Sequence, residues 1–250
     1  MIASILPLAL ENVSFKIGTM RLIKDMTCEF NVGPRTAIVG PNGAGKSLLL
    51  RLCHGLLQPS TGTITWRADE IAVRDAQAMV FQRPVMLRRT VAANVDYALK
   101  LRGLPSNERQ NRTTDALSRV GLKRLKNSPA RVLSFGEQQK LALARVWALK
   151  PEVLFLDEPT ASLDPAATHD VEEIIQAIHA EGTRIIMTTH DLSQARRIAD
   201  DVIFLHRGRL LEQAPAKQFF THPKNDLAQA FLRGELLWWR LGKDNRGTKN

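Results

Sequence analysis

At 250 residues, with 44 % hydrophobic and 24 % charged side chains, the chain has the length and balance of a globular protein with one well-buried core. No run approaches the roughly 18–20 consecutive apolar residues of a membrane-spanning helix, so any role at a membrane needs a partner that crosses it. The net charge of +10 is uneven: residues 83–132 hold 12 Lys or Arg against Asp96, Glu108 and Asp115, a local +9 that suits nucleic acid, anionic headgroups or plain water equally.

The apolar start, Ile2 to Leu10, lacks a basic leader and a cleavage site and reads as a first strand rather than a signal peptide. Met26, Cys28 and Phe30 alternate with Thr27 and Glu29, the period of a half-buried strand, and Thr63 to Trp66 is a further one; this opening reads as antiparallel. Three short apolar runs, Thr36 to Val39, Val153 to Leu156 and Arg184 to Met187, suit buried strands of a parallel sheet. Between the first two lie helical patterns, with Val91, Val95, Ala98 and Leu99 on one face and Leu141, Ala144, Arg145 and Ala148 at similar spacing. The middle of the chain is therefore expected to be a helical insertion in an α/β nucleotide-binding core. Cys28 and Cys53 have no metal-ligand or redox spacing and read as small buried apolar residues. The polar end, Gly242 to Asn250, reads as a frayed tail.

Chemistry concentrates at strand ends. Gly40-Pro41-Asn42-Gly43-Ala44-Gly45-Lys46-Ser47 fits G-x-x-x-x-G-K-[ST] and lies between a predicted strand and a predicted helix. Its glycines let consecutive backbone N–H groups turn inward around phosphate oxygens, and the helix start adds partial positive charge. Lys46 is placed to bridge the β- and γ-phosphates, and the Ser47 hydroxyl to coordinate Mg²⁺. Asp157 and Glu158 follow the run Val153 to Leu156, where they would face a nucleotide. Asp157 suits Mg²⁺, and Glu158 suits orienting or deprotonating the attacking water.

With these residues in place, the chain resembles an ATP-binding cassette (ABC) ATPase, from Leu8 to about Leu237. Further motifs carry the resemblance: Gln82 in Val80-Phe81-Gln82, the signature-like Leu133-Ser134-Phe135-Gly136-Glu137-Gln138, Ser162-Leu163-Asp164, and His190 in Thr188-Thr189-His190-Asp191. It implies a P-loop NTPase core with an antiparallel β subdomain and an α-helical subdomain inserted at about 83–149, all within one ABC-type domain spanning 1–250. It also implies that Gln82 reaches Mg²⁺ and water and that His190 contacts the γ-phosphate. Ser134, Gly136 and Asp164 would act across the interface of a homodimer that shares two ATPs.

Two positions depart from the family pattern. Phe135 stands where the first of two adjacent signature glycines is usual, and slower turnover is expected because the backbone loses the freedom of glycine. Ile17 stands where an aromatic residue commonly stacks on adenine, while Phe15 two residues earlier reads equally as a core ring, so base selectivity is expected to be weak.

For a family of transporter ATPases, the basic stretch falls on the subdomain that docks membrane subunits, with Pro84, Val85, Met86 and Leu87 the candidates for a partner groove. The single cassette and short extension resemble importers fed by a solute-binding protein. Residues 81–89 and 231–238 look like oxyanion-importer cassettes, tungstate ones in particular. The expected partners are thus permease subunits at the cytoplasmic face of the membrane and, indirectly, a solute-binding protein. An exporter cassette is the alternative, as is a soluble ABC-type ATPase acting on nucleic acid. Only the basic balance favours the latter, since no basic residues interleave with aromatic ones suited to stacking bases, and no nucleic-acid partner is expected. Trp238 and Trp239 are expected to anchor the tail by packing on the core.

Overall fold

The structure, a computed structural model, describes residues 4–235. Trp238, Trp239 and the tail 242–250 lie outside it, as do Ile2 and Ala3 of the expected first strand. That strand, β1, runs Leu8–Ile17, later than the apolar run suggested. Ser4 and Ile5 precede it without regular structure and bond instead to the Glu152 carboxylate.

A three-stranded antiparallel sheet is built from β1, β2 (Met20–Phe30) and, after β3 (Thr36–Val39) and α1 (Lys46–Cys53), β4 (Thr61–Trp66), in the order β2-β1-β4. On β2, Met26, Cys28 and Phe30 are buried and their neighbours are not, the period-two pattern of a sheet with one face on the core, and Ile23 joins them one residue out of step, across an irregularity at Asp25 (φ +48°). The chain continues through α2 (Glu70–Ala76) to β5 (Gln77–Val80), then three helices, α3 (Val91–Leu101), α4 (Ser106–Arg119) and α5 (Phe135–Leu149), inserted before β6 (Val153–Asp157). The second half alternates α6 (Pro165–Ala180), β7 (Arg184–Thr188), α7 (Leu192–Ile198) and β8 (Asp201–His206), then β9 (Arg209–Pro215), α8 (Ala216–Thr221) and α9 (Asp226–Leu232).

The second sheet has six strands in the order β5-β6-β7-β3-β8-β9, parallel except for the antiparallel pairing of β8 with β9. Both its faces are covered, which is why β3, β6 and β7 read as unbroken apolar runs. Alternate residues serve different cores: Val153, Phe155, Ile38 and Ile203 join the antiparallel sheet and α1, while Leu154, Leu156, Val39 and Phe204 join the helices opposite. Burying each such large side chain contributes roughly 1.5–3 kcal/mol.

The insertion is tied to the core by polar contacts as well as apolar ones. Asn94 of α3 is fully buried, its Oδ1 accepting from the Leu87 N–H at 3.0 Å and its Nδ2 donating to the Thr90 carbonyl at 2.9 Å. Arg145 of α5 donates to the Val85 carbonyl at 2.9 Å, and burial pulls its pKa below the usual arginine value. Of the four residues expected at a partner groove, Met86 is instead buried in the core, because these bonds turn it inward.

Candidate functional site

β6, β7 and β3 are neighbours, so the loops at their C-terminal ends meet, as strand-end chemistry in an open α/β sheet requires. The turn from β3 into α1 passes through left-handed backbone at Gly40 (φ +149°), Gly43 (+76°) and Gly45 (+102°). A Cβ on Gly40 would lie 2.1 Å from the Leu205 carbonyl oxygen, and one on Gly45 would lie 2.7 Å from Ile23 Cδ1. Gly40→Ala is therefore expected to displace the loop and abolish ATP hydrolysis, which a turnover assay checks; wild-type rates would contradict the close packing seen here. The loop is further clamped by Ala44, whose carbonyl accepts from Gly208 N–H at 3.0 Å, while Gly208 in turn accepts from Lys24 N–H at 2.8 Å.

Lys46 is only 6 % exposed; its Nζ donates to the Gly40 carbonyl at 2.9 Å and the Pro41 carbonyl at 3.3 Å, and lies 3.9 Å from Glu158 Oε1. Burial lowers its pKa, and the nearby Glu158 and Asp157 carboxylates oppose that shift. Asp157 Oδ1 accepts from the Ser47 hydroxyl at 2.7 Å and the Thr188 hydroxyl at 2.8 Å. Glu158 is held in left-handed backbone (φ +47°), its N–H donating to Thr188 Oγ1 at 3.0 Å. Its Oε2 lies 3.0 Å from His190 Nδ1 and 3.5 Å from Gln82 Nε2. Lys46, Ser47, Gln82, Asp157, Glu158 and His190 are thus brought together.

Thr188 is the residue that sequence reasoning missed. Pairing of β6 with β7 puts it directly opposite Asp157, and its single hydroxyl holds both carboxylate residues in place. The only sequence signal was its position two residues before His190.

Ser134, Gly136 and Asp164 form a separate group. Ser134 caps α5 in a reciprocal box: its Oγ accepts from Glu137 N–H at 3.3 Å, and Glu137 Oε2 accepts from Ser134 N–H at 2.8 Å. Asp164 caps α6, accepting from Ala167 N–H at 2.8 Å. A Cβ on Gly136 would meet Ala167 at 3.1 Å and Leu163 at 3.8 Å, so α5 starts against α6. Among the described residues no hydrogen bond or ion pair joins this group to the first. Phe135 begins α5 without a positive φ, so the backbone freedom that glycine would bring is not needed there; any slowing of turnover rests on the bulk of the ring. Phe15 is half-buried against the core, whereas Ile17, 63 % exposed, sits opposite Met20 at the end of β1.

The residues fit a nucleotide with a metal ion. The N–H groups of Lys46, Ser47 and Leu48 in the first turn of α1 have no intrahelical acceptor, which leaves them for phosphate oxygens. Ser47 and Asp157 offer hard oxygen ligands, the kind Mg²⁺ takes together with substrate phosphates. No cluster of three or more His, Cys, Asp or Glu that could hold a metal ion occurs among the described residues.

Residues 23–161 match the family model described as ABC transporter. The chain belongs to that family. As an ABC ATPase it binds and hydrolyses ATP, and its fold is that of the family's ATP-binding domain. Among ABC relatives, the phosphate import ATP-binding protein PstB 2 of Natronomonas pharaonis is 36 % identical over 249 residues, covering 92 % of this chain and 88 % of that protein. The tungstate uptake system ATP-binding protein TupC of Peptoclostridium acidaminophilum is 36 % identical over 207 residues, covering 82 % of this chain and 97 % of that one. Among solved ABC structures, the dimeric post-hydrolysis cassette MJ0796 bound to ADP and Pi superposes with a TM-score of 0.73 at 25 % identity, covering 84 % of this chain and 98 % of that one. No described helix of the ABC ATPase is long and apolar enough to cross a membrane.

Proposed function

We propose that this chain is the ATP-hydrolysing subunit of an importer, working as a homodimer on the cytoplasmic face of a membrane with separate permease subunits and a solute-binding protein. The convergence of Lys46, Ser47, Asp157, Glu158 and His190 carries the catalytic part of this reading. Lys46 and the loop amides of Gly40 to Ser47 hold the phosphates; Glu158 takes a proton from the attacking water, with His190 and Gln82 fixing its second oxygen. Ser47, Asp157 and Gln82 would hold Mg²⁺, which neutralises charge on the phosphates. Ser134, Gly136 and Asp164, set apart from this group, serve the site of the second copy.

The transport part is supported by a groove of about 1100 Å³ between α2, β4 and the inserted helices. Trp66, Met79, Leu87, Tyr97 and Leu101 line it beside Arg102, and Leu101 is largely exposed. An apolar face of this size suits a helix of a permease subunit. The basic charge of the insertion is in part internal, since Arg102, Arg109 and Arg112 pair with Asp75, Asp96 and Glu108 at 2.6, 2.8 and 2.6 Å. Tungstate or a related oxyanion such as phosphate is the solute we favour, on the likeness to importers of both.

Leu101→Glu places a charge in the groove away from the nucleotide. It is expected to prevent co-purification with the permease subunits while ATP binding by the isolated chain stays unchanged. Normal assembly of that variant would contradict the docking role, and unchanged tungstate and phosphate uptake in cells lacking the chain would remove the substrate assignment.

A further inference from the structure

The loop after Glu158 packs through Pro159 and Leu163, but toward Ser162 it borders a cavity of about 210 Å³ lined by Glu158, Thr160, Ser162, Thr168 and His190. Glu158 (φ +47°) and Ser162 (φ +68°) both hold left-handed backbone there, a conformation that persists only where surrounding contacts enforce it.

On the other side Thr160 meets a polar network that has no part in the chemistry above. Gln194, in α7, is fully buried, and its Nε2 donates to Thr160 Oγ1 at 2.7 Å and to Glu172 Oε1 at 3.2 Å. Glu172, in α6, is itself 5 % exposed, and Arg197 binds its two oxygens at 2.6 and 3.0 Å. The Gln194 Oε1 atom is buried without a partner. A buried, half-satisfied amide is a poor choice for stability, and an apolar side chain of similar volume would serve the core at least as well. Glu172 already has Arg197 on both oxygens, so what the glutamine alone supplies is the bond to Thr160.

The helix that carries Gln194 starts immediately after His190, capped by Asp191, whose Oδ1 accepts from Ser193 N–H at 2.8 Å and Gln194 N–H at 3.1 Å. One rigid helix start therefore grips the loop twice, through His190 on Glu158 at 3.0 Å and through Gln194 on Thr160 at 2.7 Å. We propose that Gln194, seated on the buried Glu172 carboxylate that the exposed Arg197 binds, is a positioning residue for hydrolysis: through Thr160 it fixes the loop after Glu158 and so the direction in which the Glu158 carboxylate faces. This rests on the role given to Glu158 under the proposed function.

The test is the Mg²⁺-dependent ATPase of the purified full chain as Thr160→Val, Thr160→Ser, Gln194→Met and the double variant Thr160→Val/Gln194→Met, beside Glu158→Gln. Thr160→Val and Gln194→Met are expected to lower kcat roughly ten- to hundredfold, with KM for ATP and Tm little changed, because only the aim of the carboxylate is lost. Thr160→Ser keeps the hydroxyl and is expected to restore most of the rate. The double variant is expected to be no slower than the slower single one, since both substitutions break the same Gln194–Thr160 bond, Gln194→Met releasing the bond to Glu172 as well. Thr160→Val removes one hydroxyl from a half-buried loop and decides the matter alone if Gln194→Met does not fold. Wild-type kcat in Thr160→Val, a loss carried by KM or Tm, or a Thr160→Ser variant as slow as Thr160→Val overturns the proposal. Wild-type turnover in Glu158→Gln would instead remove the reading of Glu158 beneath it.

Discussion

Glu158→Gln is expected to lower steady ATP turnover by about two to four orders of magnitude while ATP still binds. The amide has the shape of the carboxylate and can keep contact with Gln82 and His190, 3.5 and 3.0 Å away, but it cannot accept a proton from water. Thr188 holds the backbone of this residue and the Asp157 carboxylate independently of the Glu158 side chain, so the phosphate loop is expected to stay in place. With ATP bound and uncleaved, the two copies should remain closed on each other. The measurement pairs a phosphate-release assay with gel filtration in ATP: slow release together with a shift to the dimer is the expected result. Hydrolysis at the wild-type rate would remove Glu158 from its role.

Lys46→Ala is expected to weaken ATP binding about a hundredfold, as loss of charge-assisted bonds to two phosphates implies. The fold itself should suffer little, because the ammonium is satisfied by carbonyls of its own loop, Gly40 and Pro41. The alanine does leave Asp157 and Glu158 without their buried cation, which adds repulsion toward the phosphates. Titration with a fluorescent ATP analogue checks this; unchanged affinity would mean that Lys46 does not reach the phosphates.

What could be read from the sequence was local. The phosphate loop is contiguous, the strands β3, β6 and β7 are apolar runs long enough to stand out, and the Asp157-Glu158 pair ends one of them. The helical spacing of Leu141, Ala144, Arg145 and Ala148 in α5 was legible for the same reason, since these residues lie within two turns of one another. Pairings between distant segments were hidden. Thr188 earns its place from a strand register, and Gln194 from the approach of α7 to a loop 34 residues away. The run Val202 to Leu205 is an apolar signal of the same kind as those of β3, β6 and β7, for β8. Of the run read as the first strand, Leu8 to Leu10 do open β1 but residues 4–7 are irregular, because apolarity alone does not separate a strand from a buried irregular segment. The groove was legible only in part: Leu87 lines it as expected, but Met86, adjacent in the chain, is buried, and the bonds from Asn94 and Arg145 decide which one turns inward.

The central claim is that two copies of this chain together make the ATPase. Mg²⁺-dependent turnover, measured per chain across a wide range of chain concentrations beside Lys46→Ala and Glu158→Gln, tests it most directly. The account predicts a rate per chain that climbs with concentration and disappears in both variants. A rate per chain that is independent of concentration, or that survives either substitution, would contradict it.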